Sequence, residues 1–441
     1  MTVNKVRARS SSSGAGMESR AIKPLGRGVD AELKAPPSKA HTLRALFLAA
    51  LAEGESVLEN PLCGNDQLIA ISALQKFGAV IEKRDAEAIV AGTGGDLKAP
   101  KKVFAGNSGV SLRFLCAVAA LAGRGGEKIV LDGDERMRQR PAGGLLSGLG
   151  QLGAKARSLR NNGCPPVEVI GKSMAGGFAS ISAAESSQFA SALLVSLPLA
   201  PRDSELKLVG EIRSRPYIGM TLECIKAFGG RVQESGENAF QIPAGQCYEG
   251  TRFKIEGDYS SAAFLFQAAA ITGGRVKVRG LRRDSLQGDK RFLELLGKMG
   301  CKVRQLENKA EVTGVDGLMP ISADLGDCPD IVMPLAVACA FADGKSVISN
   351  IGHLRLKESD RLAALESGLA AMGVKARAAG GSLEITGDAS KLKGALIESF
   401  GDHRIAMAFA VAGLRVPGIR ISNPGCVSKS YPEFFTDLSR L

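Results

Sequence analysis

The stretch FGGRV, residues 228–232, ends a mixed apolar and polar run on a glycine and then begins to alternate. A helix that stops on a left-handed C-cap glycine and hands over to a strand reads this way. The signature returns as FGAV (77–80), LGAKA (152–156), MGCKV (299–303) and MGVKA (372–376). The glycines Gly78, Gly153, Gly229, Gly300 and Gly373 are spaced by 75, 76, 71 and 73 residues. A period of about seventy residues along the whole chain makes the fold a repetition of one unit.

Working outward, a second piece recurs six times: a turn followed by a short alternating strand. Its copies are GESVLEN, GEKIVLDG, SELKLVGE, GGRVKVRG, GKSVISN and PGIRISN. Ahead of each lies an alanine-rich segment that is apolar on nearly every side, such as TLRALFLAALA and SAAFLFQAAAI. Helices of that kind are buried inside a domain, not laid on its surface. Helix and strand signals alternate, so the class is α/β. Six units divide into two domains of three: 37–255, and 17–36 joined with 256–441. The segment AIKPLGRGVDAELKAP (21–36) is expected to return and complete the last unit. The chain then crosses between domains twice, near Ala35–Pro37 and Ile255–Gly257, which allows hinge closure on a ligand in an interdomain cleft. Residues 1–16, basic and serine-rich, read as a disordered extension.

Composition narrows the function. The chain has 441 residues, 45% of them apolar, and a formal net charge of +12. A basic balance calls for anionic partners. Aromatics are only 5% and tryptophan is absent, so basic clusters lack the stacking residues of single-strand nucleic-acid binders. Nine cysteines form no CxxC pair, which fits a reducing, cytoplasmic compartment. Three histidines, His41, His353 and His403, stand apart from any metal-ligand spacing, so no metal is expected. No apolar run approaches the roughly 20 residues of a membrane span.

Each buried helix is introduced by a short polar motif: PPSKAH, AGNSGVS, AESSQ, GDYSSA, DCPD and GDHR. Serine, aspartate and asparagine there are ordinary N-caps. Capping does not account for Lys39, Arg44, Arg113, Gln188 and Arg404. The loops after the six strands carry a matching basic set, including DERMRQRP, EIRSRPY, RLKESDR and NPGCVSKSYP. RLKESDR (355–361) alone could be a wet helix start with a Glu358–Arg361 ion pair. As one of six equivalent loops on a common face, it belongs to a positive funnel suited to small molecules with several phosphate and carboxylate groups.

With these motifs in order, the chain from about Met17 to Leu441 resembles the 5-enolpyruvylshikimate-3-phosphate synthase (3-phosphoshikimate 1-carboxyvinyltransferase) family of enolpyruvyl transferases. The carriers are PPSKAHTLRAL, GNSGVSLR, GDERMRQRP, ESSQF, SRPYIGMTL, SLQGDKRF, CPDIVMPLA, RLKESDRL, GDHRIAMA and CVSKSYPEF. The resemblance implies two inside-out α/β barrel-like domains, each of three βαβαββ repeats. It implies transfer of the enolpyruvyl group of phosphoenolpyruvate to the 5-hydroxyl of shikimate 3-phosphate, with release of phosphate and without cofactor. It also implies a monomer acting on small molecules, with no nucleic-acid or membrane partner. Carried over by motif, Ser186, Ser187, Gln188, Ser214 and Tyr217 hold the acceptor, and Arg44 meets its carboxylate. Lys39, Arg140, Arg361, Arg404 and Lys429 clamp phosphoenolpyruvate, and Gly109 lets the backbone approach it. Asp330 serves the acceptor hydroxyl, and Glu358, assisted by Lys357, serves the methylene carbon.

Three positions depart from the family pattern. Ala40 stands where a serine touches the acceptor, Val110 where threonine is common, and His353 where asparagine or another polar residue is usual. Two other readings of the residues stay open at this level. One is an enolpyruvyl transferase with another acceptor; the sister enzyme using UDP-N-acetylglucosamine carries a cysteine that DERMRQRP lacks. The other is a non-catalytic, RNA-directed repeat protein, which would not require Asp330, Lys357 and Glu358 together.

Overall fold

The computed structural model describes residues 18–182 and 184–441; the extension expected over residues 1–16 lies outside them. Six helices, buried along almost their whole length, form the interior. They are α1 (Lys39–Leu51), α2 (Gly109–Ala119), α3 (Ser187–Ser196), α4 (Tyr259–Thr272), α5 (Val332–Cys339) and α6 (His403–Ala412). Alanine alternates with leucine, valine and phenylalanine along them, so small and large side chains interdigitate in the core. The five spaced glycines all end outer helices at positive φ, from 80° to 113°. Only glycine adopts that conformation without steric cost.

Around these helices lie six mixed sheets, five of four strands and one of three, and among the described residues none closes into a barrel. The second unit shows the pattern. Lys102–Phe104 runs parallel to Lys128–Asp132, with α2 between them in the chain. Val167–Ile170 pairs antiparallel with Lys128–Asp132 and with Ala156–Ser158. One face of each sheet covers a buried helix, while the other carries charged side chains in alternation. The apolar residues segregate into two clusters. One runs from Leu43 to Ile255 around α1–α3, and the other joins Ile22–Ala35 to Tyr259–Leu438 around α4–α6.

The front of the chain divides its pairing more finely than its sequence suggests. Only Ser19–Ala21 completes the last sheet, antiparallel to Arg420–Ser422. Asp30–Lys34, within the segment expected to do so, lies parallel to Arg275–Arg279 in the fourth unit. In exchange, Arg252–Lys254 lies parallel to Glu55–Glu59 in the first unit. Each strand that precedes a crossing therefore stays with the core it leaves, and the helix after it enters the other core. The alternating pattern marks both strands, but only tertiary packing decides which sheet receives them.

The two crossings lie side by side. Pro37 bridges Gly257, Ser38 N donates to Glu256 O at 2.8 Å, and Asp258 N donates to Pro36 O at 2.8 Å. A Cβ on Gly257 would sit 2.5 Å from Gly280 O and 2.7 Å from the Ala35 methyl. Neither neighbour is a flexible side-chain end, so the crossing must spread. Gly257→Ala is expected to cost about 1–3 kcal/mol by overpacking, read as a lowered denaturation midpoint with an unchanged m-value.

Candidate active site

Helix N-termini carry unpaired N–H groups and the positive end of the dipole. Here one pocket is lined from the leading ends of all six buried helices. Lys39 and Ala40 come from α1, Val110 from α2, Ser186–Gln188 from α3, Asp258 and Ser260 from α4, Pro329 and Asp330 from α5, and Arg404 from α6. Loops add Arg140, Ser214, Lys357 and Glu358, and the first turns of helices Pro216–Ala227 and Arg361–Ala371 add Tyr217 and Arg361. The apolar bodies of the helices fix the positions, and the polar lead-in residues project into the gap between the two cores. Capping is also present: Ser38, Ser186, Asp258 and Asp402 each accept from a backbone N–H of the helix they begin.

Arg361 organises the acidic side. It is 1% exposed, and its three nitrogens reach three carboxylates. Nε donates to Asp402 Oδ2 at 2.8 Å, Nη1 to Asp330 Oδ1 at 3.0 Å and Nη2 to Glu358 Oε2 at 3.0 Å. Arg404 Nη2 donates to the other oxygen of Asp330 at 2.8 Å, and the Tyr217 hydroxyl joins it at 3.0 Å. Burial raises Asp330, but Arg404, Arg361 and Lys39 outweigh it and hold the carboxyl well below the usual range. Glu358 follows the same logic. Burial raises it, and Arg140, Arg361, Lys429 and Lys39 together keep it well below an ordinary glutamate. Burial pushes the Lys357 ammonium down to about 8, with Asp330 opposing and Arg140 and Arg361 reinforcing. Three of these groups thus sit far from their solution behaviour in one pocket, a frequent mark of a working site.

The cationic side draws on both cores: Arg140 and Lys39 come from the other one, Lys429 and Arg404 from the one that holds Arg361. Arg140 Nη1 lies 3.7 Å from Glu358 Oε1 and 3.2 Å from Asn107 Oδ1. Lys429 Nζ lies 3.8 Å from Glu358 and 3.2 Å from Asp66, while Lys39 lies 3.8 Å from Asp66. Gly109 touches this group through its backbone: a Cβ there would fall 2.6 Å from Arg140 Nη2. Arg404 keeps Nε and Nη1 buried without a protein partner among the described residues. Arg44 differs from the others. It lines the pocket, yet donates to Thr221 Oγ1, Ala40 O and Tyr217 O at 2.8–3.0 Å, which leaves little of its fork for a ligand.

Several participants lack a signal strong enough to single out in the sequence. Asp258, Ser260 and Asp402 stand inside GDYSSA and GDHR, where they read as caps. Asp289 in SLQGDKRF is a buried carboxyl bonded to Ser260. Arg136 reaches across the pocket from the DERMRQRP loop, donating to Arg355 O at 2.9 Å and Lys357 O at 3.0 Å. It thereby pins the backbone that carries Lys357 and Glu358. Among the described residues no three His, Cys, Asp or Glu side chains are grouped to hold a metal ion, and no helix is long and apolar enough to cross a membrane.

Known proteins share both sequence and architecture with this chain. The family described as EPSP synthase (3-phosphoshikimate 1-carboxyvinyltransferase) matches residues 25–438. The 3-phosphoshikimate 1-carboxyvinyltransferase of Syntrophobacter fumaroxidans is 41% identical over 423 residues, covering 96% of this chain and 99% of its own. That of Trichormus variabilis is 39% identical, covering 95% and 98%. The solved EPSP synthase of Acinetobacter baumannii superposes with a TM-score of 0.79 at 28% identity, over 96% of this chain and 98% of that one. With nearly its whole length matched, from the first buried helix to the last, the chain belongs to the EPSP synthase (3-phosphoshikimate 1-carboxyvinyltransferase) family.

Proposed function

We propose that the chain transfers the enolpyruvyl group of phosphoenolpyruvate to the 5-hydroxyl of shikimate 3-phosphate, releasing phosphate, in the biosynthesis of aromatic amino acids. The observation that carries this reading is the pair of carboxylates Asp330 and Glu358 held on either side of Arg361, in a pocket otherwise ringed by cations. In this reading the two cores are domains, 37–255 and 17–36 with 256–441, of the inside-out barrel-like kind, and the pocket is their cleft. The chain acts as a cytoplasmic monomer on small molecules.

Addition comes first. Asp330 takes the proton of the acceptor hydroxyl as its oxygen attacks C2 of phosphoenolpyruvate, and a proton is delivered to the methylene carbon from the Glu358–Lys357 side. The tetrahedral adduct then breaks its C2–O bond to phosphate and gives a proton back from the methyl carbon, restoring the enol ether. Glu358 needs help to carry a proton, because its cations disfavour the neutral form. Phosphoenolpyruvate itself supplies that help. Its carboxylate and phosphate engage Lys39, Arg140, Arg404 and Lys429, offset their charge and let burial raise Glu358 again. Ser186, Ser187, Gln188, Ser214 and Tyr217 line the acceptor end, with Arg44 behind them; the engaged donors of Arg44 give it a larger part in shaping the wall than in gripping a carboxylate.

The direct test is phosphate release from phosphoenolpyruvate, with shikimate 3-phosphate and UDP-N-acetylglucosamine offered separately. Release is expected with shikimate 3-phosphate alone, and Asp330→Ala should reduce it by about 10²–10⁴-fold, the usual range for a general base. Release with the nucleotide sugar instead, or none from folded protein, would sink the reading. A second expectation concerns the cation ring. Gly109→Ala places a methyl 2.6 Å from Arg140 Nη2 and 3.0 Å from Arg113 Nη1, so Arg140 must swing away. The KM for phosphoenolpyruvate should rise about tenfold, equal to the loss of one good charge-assisted contact. The KM for the acceptor should change far less, and equal changes in both would count against Arg140 as a phosphoenolpyruvate clamp.

A further inference from the structure

One carboxyl buried behind Ser260 and Tyr217, which line the pocket, has no part in the chemistry above. Asp289 is 2% exposed, in the single-turn 3-10 helix Gly288–Lys290. Its Oδ2 accepts from the Ser260 hydroxyl and lies 3.4 Å from the Tyr217 phenol oxygen. That same phenol oxygen lies 3.0 Å from Asp330 Oδ2. Asp289 Oδ1 is buried with no partner among the described residues. A phenol owns one hydrogen. It goes to Asp330 or to Asp289, never to both.

Asp330 is the ionised member, since Arg361 and Arg404 donate to its two oxygens. The Tyr217 hydrogen therefore points to Asp330, and the phenol oxygen must accept a hydrogen from its other side. We propose that Asp289 is a protonated positioning residue: it gives its hydrogen to Tyr217, so that Tyr217 gives its own to Asp330 and holds that carboxylate for the acceptor hydroxyl. The proposal rests on the reading of Asp330 as the hydroxyl-side base.

The surroundings agree. Asp258 and Ser260 face Asp289 from the start of α4, Tyr217 from helix Pro216–Ala227, Cys328 and Asp330 from the lead-in to α5, and Arg404 from α6. Arg404 is the one cation in that set. The neighbouring Lys290 and Arg291 turn their charges to Ser285 O and Asp324 O. Burial first, then the charges of Asp330 and Asp258, lift Asp289 to about 7 against the Ser260 bond and Arg404. Below that pH the chain of hydrogens is complete. Above it, two carboxylates contest one phenolic hydrogen, and an added negative charge faces anionic substrates.

The experiment is the pH dependence of kcat/KM for shikimate 3-phosphate in the wild type, Asp289→Asn and Asp289→Ala. Asparagine keeps an N–H donor toward Tyr217 and does not titrate. Its alkaline limb should move up from near 7 to about 8, where discharge of Lys357 remains. Alanine has no donor, and its kcat should fall about tenfold at every pH, the size of one lost hydrogen bond to a charged network. An alkaline limb that stays in place in Asp289→Asn, or equal losses in Asn and Ala at about pH 6, would overturn the proposal. A second measurement needs no turnover: the infrared difference between wild type and Asp289→Asn. The C=O stretch of a protonated carboxyl should be present at about pH 6 and absent at about pH 8.5. Its absence at the lower pH would overturn the proposal even in an inactive protein. Its presence without turnover would support the Asp289 assignment and sink only the reading of the reaction.

Discussion

The site depends on one buried guanidinium. Arg361 begins helix Arg361–Ala371, whose N-cap Asp360 bonds Ala363 N, so its side chain leaves a fixed backbone. Burial would lower its pKa, but Asp402, Glu358 and Asp330 hold it above that of free arginine. Three carboxylates around one cation would be unstable in an apolar interior if any lost its partner. Removing one member of such a buried pair typically costs about 3–5 kcal/mol, because a bare charge is left behind. Arg361 therefore holds Asp330 and Glu358 at a fixed separation, in the ionised state, before any substrate arrives. Preorganised charge of this kind acts on a transition state without reorganising at the moment of reaction.

The balance of the pocket follows from that constraint. Arg361 is largely consumed by its acids. Arg404 spends one nitrogen on Asp330 and leaves two others buried without a protein partner among the described residues. Lys39 and Lys429 share Asp66 at 3.8 and 3.2 Å, distances that an incoming phosphate can outcompete. Lys429 Nζ also donates to Asn107 O at 2.5 Å, so Lys39 and the unpartnered nitrogens of Arg404 are the least engaged cations, while Arg361 stores the geometry. Further contacts bridge the two cores. Lys39 N donates to Asp258 Oδ2 at 2.9 Å, from one core to the other. Arg136 holds the carbonyls of Arg355 and Lys357 from the opposite side.

The architecture was readable because it is periodic. Five glycines about seventy-three residues apart end five helices, and six segments too apolar to face water became six buried helices. Each follows from chemistry local to about twenty residues. The site was readable in outline, since lysine and arginine at the head of a buried helix have no packing role. What the sequence hides is pairing over long separations. Arg361 meets Asp330 and Asp402 across 31 and 41 positions. Tyr217 meets Asp289 across 72, and Asp289 by itself is an ordinary turn aspartate. The exchange of Asp30–Lys34 and Arg252–Lys254 between sheets is hidden for the same reason: alternation specifies a strand but not its partner.

Three departures from the family pattern bear on how the acceptor is held. Ala40 and Val110 both line the pocket, and each presents a methyl-bearing wall where a hydroxyl is usual. Ala40 still contributes through its backbone, because its carbonyl accepts from Arg44 and so fixes that part of the pocket wall. His353 is buried, with neither ring nitrogen partnered among the described residues. Burial, with Lys357 and Arg213 beside it, holds its pKa down at about 3, so the imidazole is neutral near pH 7. A neutral imidazole carries one donor and one acceptor. With no hydroxyl at Ala40 or Val110, the hydroxyls that line the pocket are those of Ser186, Ser187, Ser214, Tyr217 and Ser260. None of the three positions takes part in the bonds around Arg361. Charge and wall are thus set by different residues: the frame by Arg361 and its three carboxylates, the wall by short side chains at the heads of the buried helices.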